Sequence, residues 1–67
     1  MSSNLYVVPV RSGWGILAQG QRRPKLQHST RSRAVALARE MVRQEGGGKV
    51  LVMNRSGEVI ESNAVRP

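Results

Sequence analysis

The chain has 67 residues, 39% of them apolar, with no Cys and a formal charge of +7. That length allows one small domain, close to the lower limit at which a single core is self-sufficient. The missing Cys excludes disulfides and zinc–thiolate sites, and no run approaches the roughly 18–20 apolar residues of a membrane helix.

Leu5-Tyr6-Val7-Val8-Pro9-Val10 is rich in β-branched residues and reads as a strand. Pro9 lacks an N–H, which places it at a sheet edge or near the strand end. Arg11-Ser12-Gly13 reads as a three-residue hairpin loop with Gly13 in the left-handed position. Trp14 to Gln19 is the returning strand, ended by Gly20. That loop length sets Val10 opposite Trp14, Val8 opposite Ile16 and Tyr6 opposite Ala18, all on the face beneath a helix. Trp14 is then expected between sheet and helix, against Leu37 or Met41. Leu5, Val7 and Leu17 fall on the other face. Gln21 to His28 is polar and basic, with a short edge strand over 25–28 following Pro24.

One amphipathic helix is predicted over 30–45. Ser29 or Thr30 supplies the capping hydroxyl, and Ala34, Val35, Leu37, Ala38, Met41 and Val42 form one apolar face at helical spacing. Arg39 and Arg43 lie on the opposite face. Gly46 is the residue expected just past the helix end, where a positive φ is needed. Gly47 and Gly48 read as a loose joint. Lys49 to Asn54 is the next strand, Arg55-Ser56-Gly57 turns it, and Glu58 to Ser62 returns. The ends, 1–3 and 63–67, are expected to fray. The fold class is therefore α+β: a single domain of order ββαββ, two hairpins around one helix, with an antiparallel sheet.

Tyr6 to Gly13 also lines up with Val50 to Gly57. Shared turn chemistry explains the echo more simply than a duplicated hairpin.

Val7-Val8-Pro9, Gly13-Trp14, Thr30 before an Ala-rich helix to Glu45, Gly46 and the turn Arg55-Ser56-Gly57 follow one another over nearly the whole chain. In that order and spacing the chain resembles a widespread family of small bacterial proteins known only as a domain of unknown function. Many members carry an acid early in the helix and often another just before the capping Thr. Here Arg31, Arg33 and Ser29 occupy that region, so this chain is more basic than those it resembles. The resemblance implies no activity.

Nothing in the residues forms an active site. His28 is the sole His, and Asp is absent, so a Ser-His-Asp arrangement is impossible. A lone His does not make a metal site without several carboxylates. Gly46-Gly47-Gly48-Lys49 lacks the spacing of a phosphate loop, and a strand follows where a helix should begin. The expectation is a protein that is not an enzyme and has no cofactor or metal. No charged segment precedes Leu5 to Val10, which is too short for a signal-peptide core. A cytoplasmic address without a membrane partner is expected.

The charge is one-sided. Seven Lys or Arg and no acid occupy the first 39 residues, while the four acids, Glu40, Glu45, Glu58 and Glu61, follow. Such a distribution attracts polyanions. Arg22, Arg23, Lys25, Arg31 and Arg33 are the densest group, with Arg11 and Arg55 at the turn tips and Arg39 and Arg43 on the exposed helix face. These nine are the candidate phosphate contacts for DNA or RNA, without strong sequence readout. Apolar residues on both sheet faces point to a second cover. A homodimer is expected, hiding Leu5, Val7, Leu17, Leu51 and Met53. The rival reading is a protein-interaction or regulatory module acting through that face; an acidic protein partner lies between the two.

Overall fold

A computed structural model describes residues 3–24 and 26–67. The elements are β1 (Ser3–Val10), β2 (Gly13–Ala18), β3 (Leu26–His28), α1 (Arg31–Gln44), β4 (Gly48–Met53) and β5 (Val59–Val65). The strands form one sheet in the order β3-β2-β1-β4-β5, and α1 packs on one of its faces.

The sheet is mixed rather than wholly antiparallel. β1, the central strand, runs parallel to its neighbour β4, and every other pair is antiparallel. The cause is the helical connection. A hairpin forces reversal, whereas a crossover through a helix lets the chain return in the same direction. Leu5 and Val7 then lie beside Val50 and Val52 in register. Pro9 lies beyond the last pair that β1 makes with β4, Val7 with Val52, so its missing N–H leaves no gap in that ladder.

The first hairpin departs from expectation by one residue. Only Arg11 and Ser12 form the turn, and Gly13 already pairs with Val10. Trp14 therefore opposes Pro9, Ile16 opposes Val7 and Ala18 opposes Leu5. A shift of one residue moves a whole strand's side chains to the other face. Leu5 and Val7, expected at a dimer interface, are buried in the core beneath the helix. Tyr6, Val8 and Val10, expected in that core, stand on the open face with Leu17, Leu51 and Met53. Gly13 is needed for approach rather than for turning, since a Cβ there would lie 2.1 Å from the carbonyl oxygen of His28 on β3.

The core consists of Leu5, Val7 and Ile16 from the first hairpin, Ala34, Ala38 and Val42 from α1, and Val50 and Val52 from β4. The three helical residues follow one another at four-residue spacing, so they form one stripe. Two of them are Ala, which lets the helix lie close over the central strands. Trp14 packs half-buried at the margin of this core.

Thr30 caps α1, its Oγ1 accepting from the Arg33 N–H at 3.3 Å. At the other end the Gly46 N–H donates to the Arg43 carbonyl and the Gly47 N–H to the Val42 carbonyl at 2.9 Å. With Gly46 at φ 98°, this is a Schellman ending. The glycine run is thus no loose joint. The Gly47 carbonyl accepts from Ser3 N–H at 2.8 Å, and Gly48 pairs with both Ser3 and Val65. Ser3 lies in β1, and β5 runs through Val65, so the strands reach into both stretches expected to fray. Among the described residues, no helix is long and apolar enough to cross a membrane.

Candidate nucleic-acid interface

Strand directions decide where the cations stand. β1 and β4 run parallel, so the turn at Arg11 and the turn at Arg55 lie at the same end of the sheet. β3 climbs antiparallel to β2 toward that end, with His28 beside Trp14, and α1 begins three residues later. Arg11, Arg31, Arg33 and Arg55 thus share one end of the molecule, all of them exposed. The Asn54 side chain holds the second tip, its Oδ1 accepting from the N–H groups of Ser56 and Glu58 at 3.0 Å each.

The cluster that is dense in sequence is divided in space. Pro24 stands over Gly15 on the open face, where a Cβ on Gly15 would lie 2.5 Å from Pro24 Cβ. Arg22 and Arg23 are therefore carried on a loop bordering the open face, whereas Arg31 and Arg33 belong to the helix on the opposite face. Lys25 lies outside the described residues.

A different group comes together instead. One helix does not span five strands, and an open groove of about 1210 Å³ remains between α1 and β5. Its helix wall carries Arg31, Val35, Arg39 and Arg43, and its strand wall carries Glu61, Ala64, Val65 and Arg66. Positions 31, 35, 39 and 43 recur every four residues, so they share a flank of the helix. Arg33 is not on that wall. Arg66 was missed in the sequence because it sits in a stretch expected to fray. Its signal was the alternation of Glu61, Asn63 and Val65, which prolongs a strand to its neighbourhood.

Two of the four groove arginines are answered by acids. Arg31 pairs with Glu61 across the groove. Arg43 Nη2 donates to Glu40 Oε1 at 2.6 Å, and its Nε to Oε2 at 3.1 Å. These bonds from Arg43 hold the Glu40 carboxyl below the usual carboxylate range, and Glu40 in turn raises the Arg43 guanidinium. Arg39 and Arg66 have no ion pair among the described residues. The same holds for Arg11, Arg22, Arg23, Arg33, Arg55 and Lys49.

The first turn of α1 contains no acid. Thr30 already serves the Arg33 N–H, and its carbonyl accepts from the Ala34 N–H at 3.2 Å. Among the described residues, no three His, Cys, Asp or Glu side chains gather in a group able to hold a metal. The chemistry on offer is therefore guanidinium donors along a groove with an apolar floor. That suits phosphate oxygens or carboxylates.

The family model described as an uncharacterized protein conserved in bacteria (DUF2188) matches residues 5–65. No curated protein and no solved structure matches the chain.

Proposed function

The chain belongs to that bacterial family, and we propose that it is a non-enzymatic protein of the cytoplasm that binds nucleic acid through backbone phosphates, without strong base readout. The observation that carries this reading is the groove between α1 and β5. Arg39 and Arg66 stand free there, and Arg31 and Arg43 flank them in ion pairs that a phosphate can compete for. Exposed pairs of this kind are worth little in water, so exchanging a carboxylate for a phosphate costs little. Arg11, Arg33 and Arg55 extend the positive field from the groove to the end of the sheet.

The test is a titration of the protein with a random duplex and a random single strand at two salt concentrations. Each phosphate contact contributes a slope of about −0.9 on duplex DNA or about −0.7 on a single strand. Replacing Arg39 and Arg66 by Ala removes two contacts. The slope should flatten by about 1.8 on duplex or about 1.4 on a single strand, with affinity falling alike for all sequences. No binding by the intact protein at low salt overturns the reading.

A second reading rests on the open sheet face, where Tyr6, Val8, Leu17, Leu51 and Met53 are only half-buried. Such a face suits a protein partner or a second copy of this chain, as a homodimer. Sedimentation at micromolar concentration distinguishes the dimer from a monomer.

A further inference from the structure

We propose that the open face of the sheet receives the bases of a single-stranded nucleic acid, which stack on Tyr6 while Arg22 and Arg23 take the adjoining phosphates. This rests on the phosphate-binding reading above and deepens it by naming the strand form and the face.

Tyr6 is the aromatic residue of this face, and it lies on the central strand. It is in register with Leu17 on one side and Leu51 on the other. Beside it is a hollow of about 330 Å³, lined by Tyr6, Leu17, Met53 and the turn from Ala18 to Gln21. That volume is at the lower end of small-molecule sites and is ample for one base. The chain that forms the rim continues directly into Arg22 and Arg23. Pro24, seated over Gly15, fixes that loop against the same face.

Charge selects the occupant. The one acid on any of the five strands is Glu61, and it points to the helix side, paired with Arg31. The open face carries Lys49, and its border carries Arg22 and Arg23, with no carboxylate on the strands to answer them. A second copy would meet this face with the same cations and gain nothing from them. An apolar protein surface would leave them unanswered. A duplex offers phosphates but keeps its base faces stacked inside. A single strand supplies both parts, flat apolar faces for Tyr6, Leu17 and Met53 and phosphates for the arginines. Stacking on one aromatic ring is tolerant of sequence, in keeping with phosphate contacts that do not read bases.

The experiment compares wild type with Tyr6→Leu, which keeps an apolar side chain on the strand, using a labelled oligothymidylate and a random duplex. Single-strand affinity should fall about 5- to 150-fold, while duplex affinity and its salt slope stay unchanged. Tyr6→Trp should retain single-strand binding. In the wild-type protein, NMR ring-proton signals of Tyr6 should move upfield as oligothymidylate is added. Unchanged single-strand affinity in a folded Tyr6→Leu protein, or an unmoved Tyr6 signal, overturns the proposal even if the duplex is bound. Sedimentation showing a dimer that Leu17→Glu dissolves also overturns it. Failure of the wild type to bind either probe at low salt removes the phosphate reading itself, a result distinct from the others.

Discussion

Ile16 and Leu17 are neighbours in the chain and nearly equal in size and hydrophobicity, yet they experience different solvents. Ile16 points beneath the helix and is 2% exposed, whereas Leu17 stands half-buried on the open face. The same contrast separates Val7 from Tyr6 and Val52 from Leu51. The strands supply apolar residues to both faces almost evenly, and the helix covers only one. Burial in this protein is therefore set by the cover rather than by composition, and an uncovered apolar face calls for an explanation that the fold alone does not give.

The largest test of that contrast is the pair Ile16→Ala and Leu17→Ala. Truncating a fully buried Ile costs about 2–5 kcal/mol, a large share of the stability available to so small a domain. Leu17→Ala should cost less than about 1 kcal/mol, because part of its side chain is already in water. Urea denaturation of both variants measures the difference. Equal losses would show that the open face is covered in solution, and the two faces would then not differ as described.

Much of this arrangement was legible in the sequence. The helix, its Thr30 cap and its Gly46 ending follow from spacing and from the φ that only Gly adopts cheaply. The short edge strand and both turns were also readable. What failed was parity. Gly13 looks like a loop residue, and a three-residue loop with Gly last is a common hairpin. Its actual role depends on β3, whose carbonyl at His28 approaches too closely for any Cβ. Such a contact spans two hairpin partners and leaves no local trace. Once the loop is miscounted by one, Leu5 and Val7 exchange faces with Tyr6 and Val8. The candidate site suffered in the same way. Arg22 and Arg31 are near in sequence but belong to opposite sides of the sheet, while Arg39 and Arg66 line one groove only because β5 runs back beside the helix. Long-range pairing of that kind cannot be read from charge density along a chain.

A smaller effect sharpens the account of the open face. Gly15 is buried although it faces away from the helix, because Pro24 sits over it. In Gly15→Ala the new methyl would stand 2.5 Å from Pro24 Cβ and 3.2 Å from Val10 Cγ1. The loop from Gln21 to Pro24 must then lift, while the ladder between β1 and β2 remains. We expect a loss of about 1 kcal/mol, as for overpacking relieved by movement at a surface. Amide exchange should rise in β3 and at residues 21–23 but not in β1 or β4. Unchanged exchange at 21–23 would mean that Pro24 does not hold the loop to this face.

The smallest expected effect lies on the covered side, at the outer wall of the groove. Arg43 donates two hydrogen bonds to Glu40, and Gln44 adds a third from Nε2 at 3.2 Å. All of these stabilise the ionised carboxylate, so its pKa is lowered when the protein is folded. A lowered carboxylate pKa favours the folded state at pH values above the unfolded pKa. That contribution disappears as pH falls through the lowered folded value. Both side chains are exposed, so the effect on the unfolding midpoint should be slight and should shrink in high salt. It is better read by side-chain carboxyl NMR, in which Glu40 should titrate below the ordinary Glu value of about 4.3. Arg43→Gln should return it toward that value and leave the helix intact. The same signal reports on the groove. If phosphates displace Glu40 from Arg43, adding duplex DNA should raise the Glu40 titration midpoint in the wild-type protein. A midpoint indifferent to DNA would place the bound phosphates away from Arg43, at the end of the sheet or on the open face.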